Sequence, residues 1–200
     1  GSDAGKAITT GIKNTIVGSS AGTSLQTGEY NVIIGYACQV AGASTGTSIV
    51  IGQSVAGVGA NNFTFGNGGT DSNIAFGATS ITAPSDIRLK EDIQDETIGL
   101  NFINELRPVT YQWKKAKDVP SEMKLHSDSE ERVMNSTYNH GFIAQEVKAT
   151  MDKYDFKEGS QLWSEDGEDN RQRLGEGELI PFLVKAIQEL SAEVKKLKGE

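Results

Sequence analysis

Two unlike pieces are joined in this chain: an elongated all-β repeat stalk over residues 1–84, and over residues 85–200 an α+β domain that ends in a coiled-coil helix. Three observations lead to that division. Charge is lopsided, since of 19 basic and 27 acidic residues only Asp3, Lys6, Lys13, Glu29 and Asp71 precede Ser85. Glycine is lopsided the other way, with 16 of the 23 glycines among the first 84 residues. A heptad of aliphatic residues then runs along the C-terminal segment.

Residues 14–18, 31–35, 48–52, 62–66 and 73–77 share one pattern: a small polar residue, three β-formers, then Gly18, Gly35, Gly52, Gly66 or Gly77. Those glycines are 17, 17, 14 and 11 residues apart, so the period is loose, but each unit reads as a short strand closed by a turn. A unit this small cannot bury its apolar face alone, so the strands must stack along the chain, wind around other chains, or both. The piece has few large apolar residues, and as a lone globule it could hardly offset its chain entropy, so partner chains are expected. Cys38, the single cysteine, reads as a small apolar residue after a strand and forms no internal disulfide.

The second piece has the composition of an ordinary soluble domain. Over residues 97–106, Ile98, Phe102, Ile103 and Leu106 fall on one helical face, and Arg107-Pro108 ends the run. Residues 109–113 alternate with period two and predict a half-buried strand, followed by a polar loop over 114–135. Residues 140–144 predict a short strand leading into a helix over 145–153. Residues 155–177 read as a solvated acidic loop; its oxygen ligands miss the alternating spacing of a calcium loop. Over 178–198, Ile180, Ile187 and Val194 occupy one heptad position and Leu183, Leu190 and Leu197 the position three further on. Pro181 suits the first helical turn, and so regular a seam predicts a parallel coiled coil, the alternative being an amphipathic helix packed on its own domain.

Composition also excludes function classes. Net charge is −8 and neither half carries a basic face, so no nucleic-acid partner is expected. No apolar run approaches the ~20 residues of a membrane span, so no membrane insertion is expected. No metal constellation and no phosphate-cradling glycine loop appears, so no cofactor is expected. Two histidines, His126 and His140, do not allow a Ser/His/Asp order. Gly1-Ser2 reads as a cloning remnant on a C-terminal fragment.

The chemistry concentrates at the compositional boundary. Ser85 and Lys90 form a pair able to run nucleophilic chemistry without histidine, provided the lysine can act as a base, which burial promotes. Arg88 is a candidate neighbouring cation acting in the same sense, and His140, Gln145 and Glu146 are possible supporting groups. Five residues along an α-helix turn by about 140°, and along a strand an odd step points to opposite faces. No regular element therefore brings the two together, and either the segment turns or the pair forms across a chain interface. The competing reading makes Ser85 a helix cap, with Asp86 and Glu91 in the first turn and Lys90 solvated.

Four blocks in order, residues 85–90, 106–111, 141–147 and 183–190, resemble the C-terminal intramolecular chaperone domain of phage tail spikes and tail fibres, a self-cleaving family also classed as peptidase S74. The resemblance implies a homotrimer in which this domain aligns three chains, lets the upstream β-structure wind as its folding client, and is then cut off by its own activity. It places the catalytic dyad on Ser85 and Lys90 and the cut between Pro84 and Ser85. Ile or Val alternating with Leu in the heptad favours two strands, whereas the resemblance implies three, and the trimer rests on the whole domain. It further implies that residues 1–84 stay on a virion tail fibre, where a host-surface receptor is a possible partner. The chaperone piece would be released after assembly in the host cytoplasm. The alternative function is an uncleaved trimeric adhesin tip that recognises a receptor.

Overall fold

The structure is a computed structural model, and it describes residues 1–199. It divides into two compact units, Gly1–Ile93 and Gln94–Glu200.

In the first unit β1 (Thr15–Val17), β2 (Val32–Ile34), β3 (Ser48–Gln53) and β4 (Asn62–Asn67) pair in parallel, in sequence order, as successive rungs of a β-solenoid-like sheet. The register stacks Ile16, Ile33, Val50 and Thr64 on the inner face. A second column, Ala21, Cys38 and Val55, meets it from the far wall of the coil, and with Leu25 and Val40 these residues form the narrow core. Asn31 is buried within a polar ladder. Its backbone N–H donates to Asn14 Oδ1 (3.0 Å), its side-chain amide donates to the Thr45 carbonyl (2.8 Å), and its Oδ1 accepts from the Ser48 N–H (3.1 Å). The ladder stops at Ser48, whose buried Oγ has no hydrogen-bond partner among the described residues.

The repeat glycine is dictated by geometry. Gly35 has φ +121°, and a Cβ there would lie 1.7 Å from the Gly52 carbonyl oxygen. The fifth unit departs from the expected repeat: β5 (Thr70–Ala75) runs antiparallel to β4, with Asn73 opposite Thr64. Eleven residues are too few for another coil, and Asn67, Gly68 (φ +57°) and Gly69 turn the chain straight back as a hairpin.

The second unit is α+β. Its core joins Phe102, Val147, Met151, Leu162, Leu179 and Phe182, and Phe102 is at its centre, with ring-edge contacts to Tyr154, Phe156 and Phe182 at 5.1–5.8 Å. Helix α1 (Leu100–Glu105) starts three residues later than the periodicity predicts, with Gly99 as its N-cap. The start is fixed by Glu189, whose carboxylate accepts the Leu100 N–H at 2.8 Å, and by a close approach in which a Cβ on Gly99 would meet that carboxylate at 2.5 Å. Strand β6 (Val109–Tyr111) pairs antiparallel with β7 (Asn139–Gly141), which is shorter than expected because Ile143 is already the N-cap of α2 (Ala144–Met151).

The acidic stretch is not a plain loop. β8 (Trp163–Glu165) and β9 (Gln172–Leu174) form a hairpin across it, closed by Asp166, which accepts from Arg171 (2.8 Å) and Arg173 (2.7 Å). Those two guanidiniums hold the Asp166 carboxyl well below the ordinary carboxylate range, Arg173 contributing more.

Helix α3 (Leu179–Lys198) has two apolar faces. Leu179, Phe182 and Ala186 are buried against the unit's own core, whereas the heptad residues Ile180, Leu183, Ile187, Leu190, Val194 and Leu197 are exposed, Ile187 by 66%. Packing on the home domain and an open heptad seam therefore coexist on one helix.

Candidate active site around Ser85 and Lys90

Residues 81–97 are exposed throughout; after a bridge in which Thr82 and Asn73 exchange backbone hydrogen bonds (2.7 and 2.8 Å), the segment winds into a 3-10 turn over Ile87–Leu89. Leu89 N–H donates to the Asp86 carbonyl (3.0 Å) and Lys90 N–H to the Ile87 carbonyl (3.1 Å). Three residues per turn shorten the path between positions 85 and 90, and Lys90 Nζ donates to Ser85 Oγ at 2.7 Å. Of the two ways the spacing left open, the turn is the one that brings the pair together within one chain. The separation is within the range for proton transfer between a nucleophile and its base.

The turn is capped by Asp86 rather than Ser85. Asp86 Oδ1 accepts the Arg88 backbone N–H at 2.9 Å, and its two carboxylate oxygens accept from Arg88 Nε (3.0 and 3.1 Å) and Nη2 (2.5 Å). The Arg88 side chain and then its backbone N–H pull the Asp86 carboxyl below its ordinary value, while Asp86 pushes the guanidinium up. Arg88, the neighbouring cation expected from the sequence, is thus paired with a carboxylate.

The other candidate residues belong to the second unit. His140 is exposed on β7, opposite Thr110, and Gln145 is exposed in the first turn of α2. Glu146 is in an ion pair: Arg107 Nε donates to Oε2 at 2.9 Å and Nη2 to Oε1 at 2.5 Å, which lowers the Glu146 carboxyl below its usual value. That fork ties residues 106–111 to residues 141–147. Sequence reading missed Arg107 because nothing local marks a partner 39 positions away. It placed Asp86 in a helical first turn; the signal for its actual role is a capping residue two positions before an arginine.

Residues 85–156 match the model of the family described as Peptidase_S74, chaperone of endosialidase. That match supports a C-terminal chaperone domain of this kind, beginning at residue 85. No curated protein and no solved structure matches the chain. The match begins at Ser85, so the Ser/Lys pair and its turn open the chaperone domain, although by packing they group with the unit Gly1–Ile93. The blocks at 106–111 and 141–147 lie inside the match, and α3 lies beyond it. No helix among the described residues is long and apolar enough to cross a membrane.

Proposed function

We propose that this chain is an intramolecular chaperone that assembles as a homotrimer, guides the winding of an upstream viral fibre β-structure, and then releases itself by cutting between Pro84 and Ser85. The observation that carries the reading is the 2.7 Å contact of Lys90 Nζ with Ser85 Oγ at the first residue of the chaperone domain. Lys90, as the neutral amine, takes the hydroxyl proton while Ser85 Oγ attacks the Pro84 carbonyl carbon, either in its own chain or in a neighbour. The proton passes to the departing Ser85 nitrogen as the C–N bond breaks. Water then hydrolyses the Pro84 ester, leaving a free carboxylate and restoring the serine hydroxyl.

Self-association is supported by apolar surface that a single chain leaves uncovered. The α3 seam is one such surface. The other is the outer face of the parallel sheet, where Val17, Ile34, Ile51 and Phe65 align in one column and Val17, Ile34 and Ile51 are exposed. Runs such as Val32-Ile33-Ile34 are apolar on both sides, the pattern of a parallel strand covered on both faces. In this reading residues 1–84 remain on the virion appendage, with a host-surface receptor as a further partner, and the chaperone domain is shed in the host cytoplasm.

Intact-mass measurement tests the proposal. Wild type yields fragments starting at Gly1 and at Ser85, and Ser85→Ala and Lys90→Ala each leave the chain whole. An intact wild-type trimer, or unchanged cleavage in either variant, overturns the autoprotease and favours an uncleaved adhesin tip.

A further inference from the structure

We propose that Asp86 is the positioning residue of the cleavage pair, winding the turn that holds Lys90 against Ser85; the inference rests on the reading of Ser85 and Lys90 as that pair. An extended chain would set the two residues roughly 17 Å apart and on opposite faces. A three-residue turn does not persist on its own backbone bonds, because nucleating one turn fixes several dihedrals for little return. Burial does not hold this one, for Ile87 and Leu89 are 72% and 71% exposed. What remains is Asp86. One carboxylate oxygen caps the turn through the Arg88 backbone N–H, and the same group grips the Arg88 guanidinium with both oxygens, closing residues 86–88 into a ring of hydrogen bonds. The hydrogen bonds of the Asp86 carboxylate go to Arg88, so it acts on the reaction through the backbone it winds.

The two parts of that grip are separable by substitution. Asparagine caps as well as aspartate but carries no charge for Arg88, and alanine does neither. Asp86→Ala is expected to slow cleavage by roughly 5- to 30-fold, the population lost with one cap. Asp86→Asn is expected to stay within about threefold of wild type, since an exposed ion pair adds little. The trimer mass should be the same in both. The pH–rate profile of Asp86→Ala should keep the wild-type inflection with a lower plateau, because the base is unchanged.

In the same full-length chains, the nuclear Overhauser contact between the Ser85 and Lys90 side chains should vanish in Asp86→Ala and survive in Asp86→Asn. Wild-type cleavage rate in Asp86→Ala, or a contact that persists there, overturns the inference while Ser85→Ala still upholds the function. A wild-type chain that never cleaves overturns the function instead, and the Overhauser contact alone then decides whether Asp86 winds the turn.

Discussion

At the scale of the residue, the most exacting position in the chain is Gly35. Its φ of +121° is one that side-chain-bearing residues rarely adopt, and the space a Cβ would need is filled by the Gly52 carbonyl of the next rung. Gly35→Ala is therefore expected to destabilise the first unit by roughly 3–5 kcal/mol, combining backbone strain with displacement of a paired strand. Gly69→Ala is the control: a Cβ there meets nothing within 4 Å, so the change should be within about 0.5 kcal/mol. Urea denaturation of the two variants checks this, and equal midpoints would show that the rungs can shift to admit a methyl group. The need for glycine at the end of each rung was legible in the sequence, because only recurrence of one residue type at one point of a unit could produce it. The reason was not. It depends on which atoms the next rung places over that point, which is a property of the coil.

At the scale of the element, short strands were legible where apolar residues recur, as in β1 to β4, and illegible where polar pairing holds them. β8 and β9 are short and carry Ser164, Glu165, Gln172 and Arg173, so nothing periodic announces them. Their hairpin depends on Asp166 accepting from Arg171 and Arg173. Because the folded carboxyl is held far below the unfolded value of about 3.9, its contribution is fully present above that value. It is lost only as pH falls through the lowered folded value. A carboxyl-carbon NMR titration should accordingly find Asp166 still ionised near pH 3, about one unit below where free aspartates titrate. Asp166→Asn should loosen the β8–β9 pairing at neutral pH. An ordinary titration midpoint for Asp166 would mean that the arginine contacts do not persist in solution. The start of α1 teaches the same lesson: Glu189 is 89 positions from the N–H it accepts, a distance over which no local pattern carries information.

At the scale of the whole molecule, the question is what assembly adds to a pair already in contact. Ser85 and Lys90 meet within one chain, so the interface is not needed to bring them together. They meet in water, however, and a lysine takes up a proton only as the neutral amine, a form favoured by removal from solvent. Covering residues 81–97 with neighbouring chains would supply that removal and exclude water from the oxyanion as well. The open α3 seam offers a way to test the coupling without touching the pair. Ile187→Asp places a charge on the exposed seam and spares the home core, so it should convert the proposed trimer to a folded monomer by light scattering and slow the proposed cleavage by at least tenfold, the equivalent of about 1.4 kcal/mol. Ala186→Asp, one residue earlier but only 5% exposed on the buried face, should instead unfold the second unit, which circular dichroism would register. The contrast between adjacent positions separates loss of assembly from loss of fold. A stable Ile187→Asp monomer that cuts itself at the wild-type rate would show that desolvation by neighbours is not what arms Lys90. Cleavage would then report the folding of one chain rather than the meeting of three.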